Sequence, residues 1–336
     1  MSPTRRSAGL NEGSHPMPER HEEMLAQIAS EYYLENTSKV EIAKTHGISR
    51  FQVARYLDEA RHEGIVQITI RRPAAVPVEE AELARALGIT TVTIAPTPTG
   101  ALDERDRLAR AAAGVVARVV TEGCRLGVSW SRTLQAMAGH LPTLPGCDVV
   151  QLAGSITVTG GSGSGALIHR LGAAAGGRTW PLPAPLILET AETAASLRRQ
   201  PEISDALKAA EDLDVAVVAL GDWAPGKSTV YERLSPTQRR AATAAGTVAE
   251  CSGRLLAADG SAAAAGVDDC VIAVSLAQLK ATPQVVMVAP SPDGVAGVRA
   301  AVAAGIVNHL VLGPSLAHAL ATELDLIEAT ATEDPA

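Results

Sequence analysis

The sequence lacks the segments that would direct a chain into or across a membrane. Hydrophobic residues make up 46% of its 336 positions, yet no uncharged apolar run is long enough to span a bilayer. Residues 1–18 contain Pro, Ser, Gly and two Arg but no apolar core, so they predict a disordered tail and no secretory signal. We therefore expect a cytoplasmic protein.

Cysteines are scarce and widely separated. The four are Cys124, Cys147, Cys251 and Cys270. None belongs to a Cys-x-x-Cys pair or has a histidine at a spacing typical of metal ligands, so neither a zinc site nor a disulfide framework is indicated. We expect buried thiols, and neither a metal nor another cofactor.

Positive charge is in deficit overall, since the formal net charge is −8. It is nevertheless concentrated near the N-terminus. Between Lys39 and Arg72, seven basic residues stand against four acidic ones, which leaves this segment at +3 and the remainder at −11. A locally positive module on an acidic body suits attraction to nucleic-acid phosphates with little non-specific adhesion.

Three helices are predicted in this positive part of the chain. Residues 18–35 carry apolar side chains at helical spacing, and residues 38–46 open with a Ser-x-x-Glu capping box. A serine cap and a terminal glycine bound a third helix over residues 49–64. Alternating apolar residues predict a strand over residues 65–70.

The second and third helices have the spacing of a helix-turn-helix. A small residue, Ala43, lets the two helices cross closely, and Gly47 adopts a left-handed turn without steric cost. Ile48, Val53 and Leu57 then fill the core that the helices share. This pattern is typical of a DNA-binding module.

Polar residues outside that core are the candidate DNA contacts. Side chains at the amino end and on the exposed face of the third helix can reach base edges, and basic residues around them can bind phosphates. The candidates that can reach base edges and phosphates are Ser49, Arg50, Gln52, Arg55, Tyr56 and Glu59. The candidates that contact only the phosphate backbone are Lys39, Lys44, Arg61, Arg71 and Arg72. The alternative is a small helical bundle with solvated arginines, which the turn spacing and the following strand disfavour.

The rest of the chain predicts an α/β fold. Residues 73–77 mark a boundary, and a helix over residues 78–87 follows as a connector or dimer contact. Continuous apolar runs between Ala-rich helical stretches indicate a doubly wound, mostly parallel sheet. The predicted strands are 91–95, 125–128, 148–152, 215–220, 271–274, 284–289 and 309–312. We thus expect a tail over 1–18, a helix-turn-helix domain over 19–72, and an effector-binding and oligomerisation domain over 73–330.

Short segments along the whole chain carry a family resemblance. Those of the N-terminal part are ISR at 48–50, ARYLDEAR at 54–61 and EGIV at 63–66. Those of the body are GVSWSRTL at 127–134, VQLAG at 150–154, LPAP at 182–185, SGR at 252–254, VSLAQLKATP at 274–283 and GIVN at 305–308. In this order they resemble the SorC-type (SorC/DeoR-like) family of sugar-responsive regulators, from about residue 20 to 325.

The resemblance implies a function for both parts. A member of this family is a cytoplasmic repressor or activator of carbohydrate-use genes, and it usually forms a homodimer or homotetramer. Its C-terminal domain is related to sugar-phosphate isomerases and deaminases. The partners implied are double-stranded operator DNA and a small sugar or sugar phosphate.

The first candidate effector segment follows the predicted strand 125–128 and opens a helix. Backbone N–H groups and the helix dipole favour an anion there, hydroxyls can donate hydrogen bonds, and a guanidinium can clamp a phosphate. The candidate residues are Ser129, Trp130, Ser131, Arg132 and Thr133. The alternative is an ordinary capped turn facing solvent.

Other candidates lie after later strands. A glycine-rich loop over residues 154–165 permits close backbone approach, with a flexible surface loop as its alternative. Polar residues after the strand 215–220 and around residue 250 can hold sugar hydroxyls, or be ordinary surface residues. The candidates here are Gly154, Ser155, Gly221, Asp222, Glu250 and Arg254.

Two departures from the family concern charge. Related proteins commonly place an effector-binding Lys where Gly294 stands here, with Asp293 beside it. The family's Gly-Asp pair reads Ala249-Glu250. These departures favour an effector that is less phosphorylated than the usual sugar phosphate of the family: a free sugar or polyol, or a ligand of a different kind.

Two rival functions remain open. An isomerase-like enzyme needs a general acid and base, but Lys208, Lys227 and Lys280 are not obviously aimed at the candidate pocket. The segment 127–131 nearly matches a nucleophile elbow, yet Ser131 stands where a hydrolase needs Gly. The second rival is a DNA-binding protein whose body only oligomerises.

Overall fold

The computed structural model describes residues 17–35, 37–62, 65–66, 78–97, 103–156, 164–263 and 266–327. The chain divides into two compact units, Met1–Ala74 and Ala75–Ala336. Among the described residues no helix is both long and apolar enough to cross a membrane, and no cluster of His, Cys, Asp or Glu could hold a metal ion. All four cysteines are buried and free.

The N-terminal unit contains the three predicted helices, α1 (Met17–Tyr33), α2 (Lys39–His46) and α3 (Arg50–His62). The expected capping box is present, since the Glu41 N–H donates to Ser38 Oγ at 3.3 Å and the Ser38 N–H donates to the Glu41 carboxylate at 3.1 Å. The predicted strand over 65–70 and the terminal Gly64 lie almost entirely outside the described residues.

The turn between α2 and α3 follows the helix-turn-helix pattern. Gly47 has φ +63°, and the next N–H, that of Ile48, donates to Ala43 O at 3.0 Å. The three helices bury one shared core, made by Leu25, Ile28, Ala29, Ile42, Val53, Leu57 and Ala60. The predicted helix-turn-helix core is confirmed.

The C-terminal unit is built around a nine-stranded sheet, counted over the described residues. The strands are β1 (Thr91–Ile94), β2 (Arg125–Val128), β3 (Cys147–Gln151), β4 (Gly176–Trp180), β5 (Val215–Asp222), β6 (Thr247–Cys251), β7 (Arg254–Ala257), β8 (Gln284–Ala289) and β9 (His309–Leu312). The order is β1-β9-β8-β5-β2-β3-β4, with every neighbouring pair parallel. β6 pairs antiparallel with β5 and with β7.

Helices cover both faces of this sheet. They are α4 (Glu80–Leu87), α5 (Glu104–Val119), α6 (Arg132–Met137), α7 (Ser164–Ala175), α8 (Ala191–Arg198), α9 (Pro201–Ala209), α10 (Thr229–Arg233), α11 (Pro236–Ala244), α12 (Leu276–Ala281), α13 (Val295–Ala304) and α14 (Pro314–Glu323), with a 3-10 turn at Asp268–Cys270. In β8, Val285 and Met287 enter one core cluster while Val286 and Val288 enter the other. A central strand buried on both faces explains the continuous apolar runs, and the predicted doubly wound α/β class is confirmed.

The predicted strand over 271–274 is wrong. This segment makes only isolated bridges, Ala153 to Ala273 and Ile187 to Val271. The carbonyls of Ala273 and Val274 accept from the Arg254 guanidinium instead of a neighbouring strand. The sequence also did not predict β4, β6 and β7, which are short and carry Gly, Arg or Glu within them.

The strand order reverses between β2 and β5. From β2 the chain proceeds to β3 and β4 on one side, whereas from β5 the central sheet continues through β8 and β9 on the other. Helices diverge at such a point, and the carboxyl ends of the two strands leave a crevice between them where α/β proteins bind ligands.

Candidate functional site

A cavity of about 570 Å³ lies in this crevice, as defined by the described residues. Its walls come from the segments that follow β2, β3, β5 and β8, together with the turn between β6 and β7 and the start of α10. All five candidates after β2 line it, as do Gly154, Gly221 and Glu250. The fold therefore brings together segments that are more than 150 residues apart in the sequence.

The segment after β2 has the expected local structure. The Ser129 N–H donates to Val217 O at 3.0 Å, which ties the strand end to β5. Ser131 caps α6, because its Oγ accepts from the Leu134 N–H at 3.1 Å. Ser129 is buried whereas Arg132 is exposed, so the cavity has a hydroxyl in its wall and a cation at its mouth.

Three polar atoms of the cavity wall are buried without a hydrogen-bond partner. They are Trp130 Nε1, Ser252 Oγ and Ser291 Oγ. Buried polar groups in folded proteins are almost always hydrogen-bonded, because an unmet donor or acceptor costs free energy. Three such groups around one cavity fit a polar ligand with donors and acceptors of its own.

Glu250 forms a polar part of the cavity wall. Its Oε1 accepts from Ser228 Oγ at 3.1 Å, and its Oε2 accepts from the Gly253 N–H at 3.1 Å. Burial raises the pKa of the Glu250 carboxyl to about 7, against the opposing effect of these two hydrogen bonds. A carboxyl in this state can either accept a hydrogen bond from a ligand hydroxyl or donate one to a ligand oxygen.

The turn between β6 and β7 presents a strained residue to the cavity. Ser252 has φ +53° and Gly253 has φ +85°, which are the two positive values of a tight hairpin turn. Glycine adopts this conformation freely, but serine pays a steric cost. Such strain is often found at functional positions.

The mouth of the cavity is crossed by an ion pair. Lys227 Nζ lies 2.6 Å from Asp293 Oδ2, and this hydrogen bond raises the pKa of Lys227. Lys227 follows β5, whereas Asp293 follows β8. Arg105, which lies 3.8 Å from Asp103, and Arg233 add two exposed cations to the lining, and Glu232 adds an exposed carboxylate, so the lining carries charges of both signs.

Three candidates from the sequence do not line the cavity. Arg254 is buried and donates to the carbonyls of Asp268, Ala273 and Val274, so it holds the backbone of 268–274 in place. Asp222 lies beside α13, since a Cβ placed on Gly297 would be 3.3 Å from its Oδ1. Ser155 is exposed and bonds Ser164 Oγ at 2.7 Å.

The glycine-rich loop after β3 is described only at its ends, because residues 157–163 lie outside the described residues. Gly154 is required by packing. A Cβ there would stand 2.7 Å from the backbone of Ala184 and Pro185.

The expectation that Lys227 is not aimed at the pocket is wrong, because Lys227 lines the cavity, and so does Asp293, the residue beside Gly294. The lining residues that were not predicted are Arg105, Ser228, Arg233, Ser252 and Ser291. Ser291 follows a correctly predicted strand, so the rule that ligands bind at the carboxyl ends of strands could have found it. The others depend on long-range packing, which no local motif reveals.

The second candidate site is the outer surface of α2 and α3. Arg50, Gln52, Arg55 and Lys44 are exposed, and none of them forms an ion pair among the described residues. Gln52 Oε1 accepts from the Ser49 N–H at 3.2 Å, which leaves its amide nitrogen free to donate.

The remaining DNA candidates are less available. Tyr56 is half-buried and packs edge-to-face on His21, with ring centroids 5.7 Å apart. Arg61 pairs with Asp58, and the ammonium of Lys39 lies over the Tyr32 ring. Arg71 lies outside the described residues.

Two curated relatives match nearly the whole chain. The transcriptional regulator LsrR of Enterobacter sp. (strain 638) is 27% identical over 305 residues, which cover 89% of this chain and 93% of that protein. The deoxyribonucleoside regulator of Bacillus subtilis (strain 168) is 25% identical over 319 residues, which cover 92% of this chain and 100% of that protein.

A solved structure has the same fold along most of the chain. The full-length sorbitol operon regulator SorC from Klebsiella pneumoniae superposes with a TM-score of 0.67 at 18% identity, covering 90% of this chain and 99% of that one. Residues 77–321 match the Sugar-bind family model, which describes a sugar-binding domain. Both curated relatives are named as regulators. The chain therefore belongs to the Sugar-bind family and is a SorC-type transcriptional regulator.

Proposed function

We propose that this regulator binds operator DNA through residues 19–72 and binds a small sugar, polyol or sugar phosphate through residues 73–330. The observation that carries the proposal is the cavity at the carboxyl ends of β2 and β5. Four basic residues, Arg105, Arg132, Lys227 and Arg233, line it together with the acidic Glu232, Glu250 and Asp293, and three buried polar atoms in its wall have no partner. A sugar offers both the hydroxyls that would meet those atoms and, when phosphorylated, the charge that would meet the cations.

Two ends of the cavity suit two parts of such an effector. Ser129, Arg132 and Thr133 form the end over α6, where a phosphate would meet hydroxyls and a guanidinium. Glu250 and Ser228 form a polar patch of the wall, where a sugar hydroxyl would donate to the carboxylate. The names of the sorbitol operon and deoxyribonucleoside regulators support a polyhydroxylated ligand.

The DNA-binding part of the proposal rests on α3. Its exposed Arg50, Gln52 and Arg55 would read base edges in the major groove, while Lys39 and Lys44 would bind phosphates. Tyr56 and Glu59 are less suited to this role, because both contact His21 of α1.

The same proposal includes self-association in the cytoplasm. One helix-turn-helix buries too little surface for tight specific binding, so an operator with two half-sites needs two modules. The full chain is expected to sediment as a dimer or tetramer in analytical ultracentrifugation. A monomer at micromolar concentration would contradict this part.

The test uses the full-length protein and two readouts. DNA sites are first enriched from a random duplex library, and the melting temperature is then recorded with sorbitol, deoxyribose, their phosphate esters and succinate. We expect at least one sugar or phosphate ester to raise the melting temperature and to change the affinity for the enriched DNA, while succinate does neither. Failure to enrich any DNA, or indifference to every sugar, would overturn the corresponding half of the proposal.

A further inference from the structure

The chain contains a single phenylalanine, and it is exposed. Phe51 lies in the first turn of α3 and is 87% exposed. The apolar stripe of the same helix is formed by Val53, Leu57 and Ala60, which are 0 to 2% exposed. Phe51 therefore contributes nothing to the core of the N-terminal unit, and its ring faces solvent.

An isolated exposed apolar residue is common and carries no meaning by itself. The position of Phe51 is what distinguishes it. It stands between Arg50 and Gln52, and it precedes Arg55 by four residues, which places both on one side of the helix. The cations Arg50 and Arg55 have no carboxylate partner among the described residues.

The exposed ring of Phe51 and the two arginines beside it thus suit a partner that presents both negative charges and an apolar group. Major-groove DNA has these properties, because phosphates border the groove and the 5-methyl group of thymine is an apolar surface on its floor. Residues at the amino end of a recognition helix are the ones that reach base edges. A phenylalanine side chain is one of the groups that contacts the thymine methyl.

We propose that Phe51 is a specificity-determining residue that contacts a thymine methyl group in the operator. Four residues of α-helix rise about 6 Å, which corresponds to about two base-pair steps. The thymine accordingly lies within two base pairs of the base that Arg55 contacts. This inference rests on the proposed DNA-binding function and adds to it the class of base that is read.

The experiment compares thymine with deoxyuridine, which lacks only the methyl group. The full-length protein is used to enrich a binding site from a random duplex library, and each thymine in that site is replaced in turn. For the wild-type chain, one position should lose about fourfold in affinity, the size expected for one methyl-sized apolar contact. For F51A, the thymine and deoxyuridine duplexes should bind equally at that position.

Two further variants complete the design. F51L keeps an apolar side chain and should retain part of the discrimination. L34A removes another exposed apolar residue of the same unit, 78% exposed, and should keep the full discrimination. If F51A distinguishes thymine from deoxyuridine as well as the wild type does, Phe51 does not contact the methyl group and the inference is overturned. If no site can be enriched at all, the DNA-binding proposal fails, and this inference fails with it.

Discussion

Gly221 leaves the space that the carboxylate of Glu250 occupies. The two residues are directly paired across antiparallel strands β5 and β6, and a Cβ built on Gly221 would stand 2.6 Å from Glu250 Oε1. Real Cβ contacts are essentially never that short. A buried carboxyl in the cavity wall therefore depends on the absence of a side chain on the neighbouring strand.

The first prediction follows from this pair. G221A should displace the Glu250 carboxyl, which would break its bond to Ser228 and lower the melting temperature, with a cost of roughly 1–3 kcal/mol. The matched control is G114A within α5, where a Cβ would meet only ordinary contact at 3.7 Å. That control should be neutral or stabilising, since alanine favours a helix. Equal melting temperatures for G221A and the wild type would contradict the predicted clash between the added methyl group and the Glu250 carboxylate.

The second prediction concerns pH. Burial raises the pKa of Glu250 from 4.5 to about 7, so the folded chain binds more protons than the unfolded chain between these values. The contribution of this group to the free energy of unfolding is full below about pH 4.5 and falls as pH rises through about 7. E250Q should lack this fall. Urea unfolding of the wild type and of E250Q from pH 4.5 to 8 measures the difference between their free energies of unfolding. This difference should change as pH rises from 4.5 to about 7. A difference that does not vary with pH would contradict the prediction.

The third prediction separates stability from binding at Ser252. S252G should remove the backbone strain of a serine in the left-handed conformation and raise the free energy of unfolding by about 1 kcal/mol. The same change removes a hydroxyl from the cavity wall, so effector affinity should fall by roughly 0.5–1.5 kcal/mol. D325G is the control, because Asp325 also has a positive φ of 55° but does not line the cavity. It should raise stability and leave effector affinity unchanged. If S252G and D325G bind the effector with the same affinity, Ser252 does not contact the ligand.

The fourth prediction concerns the charge at the cavity mouth. R132A should weaken binding of a sugar phosphate by about 1.5–3 kcal/mol, and of a neutral polyol by less, because it removes a charge-assisted pair. Enriched DNA should bind normally, while its release by effector should require more ligand. R299A also removes an exposed cation, one that pairs with Glu323 and does not line the cavity. If both variants respond to the effector at the wild-type concentration, Arg132 is not a ligand contact.

The fifth prediction distinguishes base contacts from phosphate contacts. R55A should cost roughly 1–3 kcal/mol on the enriched site and relax its sequence preference. K44A should weaken binding to all duplexes alike. It should also reduce the slope of log affinity against log salt concentration by about one, because one counterion fewer is released. Filter binding across a salt series on specific and random duplexes measures both effects. Equal losses on specific and random DNA in R55A would count against its position in the groove.

Much of the fold follows from local sequence. The capping box of Ser38 and Glu41, and the left-handed Gly47, depend on residues within one turn of each other, so they were predictable. The apolar run of β8 is equally local, because a strand buried on both faces needs apolar residues at every position. These signals were enough to predict a helix-turn-helix and a doubly wound α/β domain.

The cavity wall depended on tertiary structure. Arg254 carries a charge that suggests a ligand, yet it is buried and donates to the backbone carbonyls of Asp268, Ala273 and Val274. Lys227 and Asp293 meet across 66 positions of sequence only because β5 and β8 are adjacent. Local propensities act through neighbouring residues, whereas pKa values, ion pairs and unpartnered polar atoms depend on which distant segments exclude water from them. Sequence alone therefore determined the helix-turn-helix, six of the nine described strands and the α/β class, whereas packing decided the remaining strands and which polar groups face the cavity.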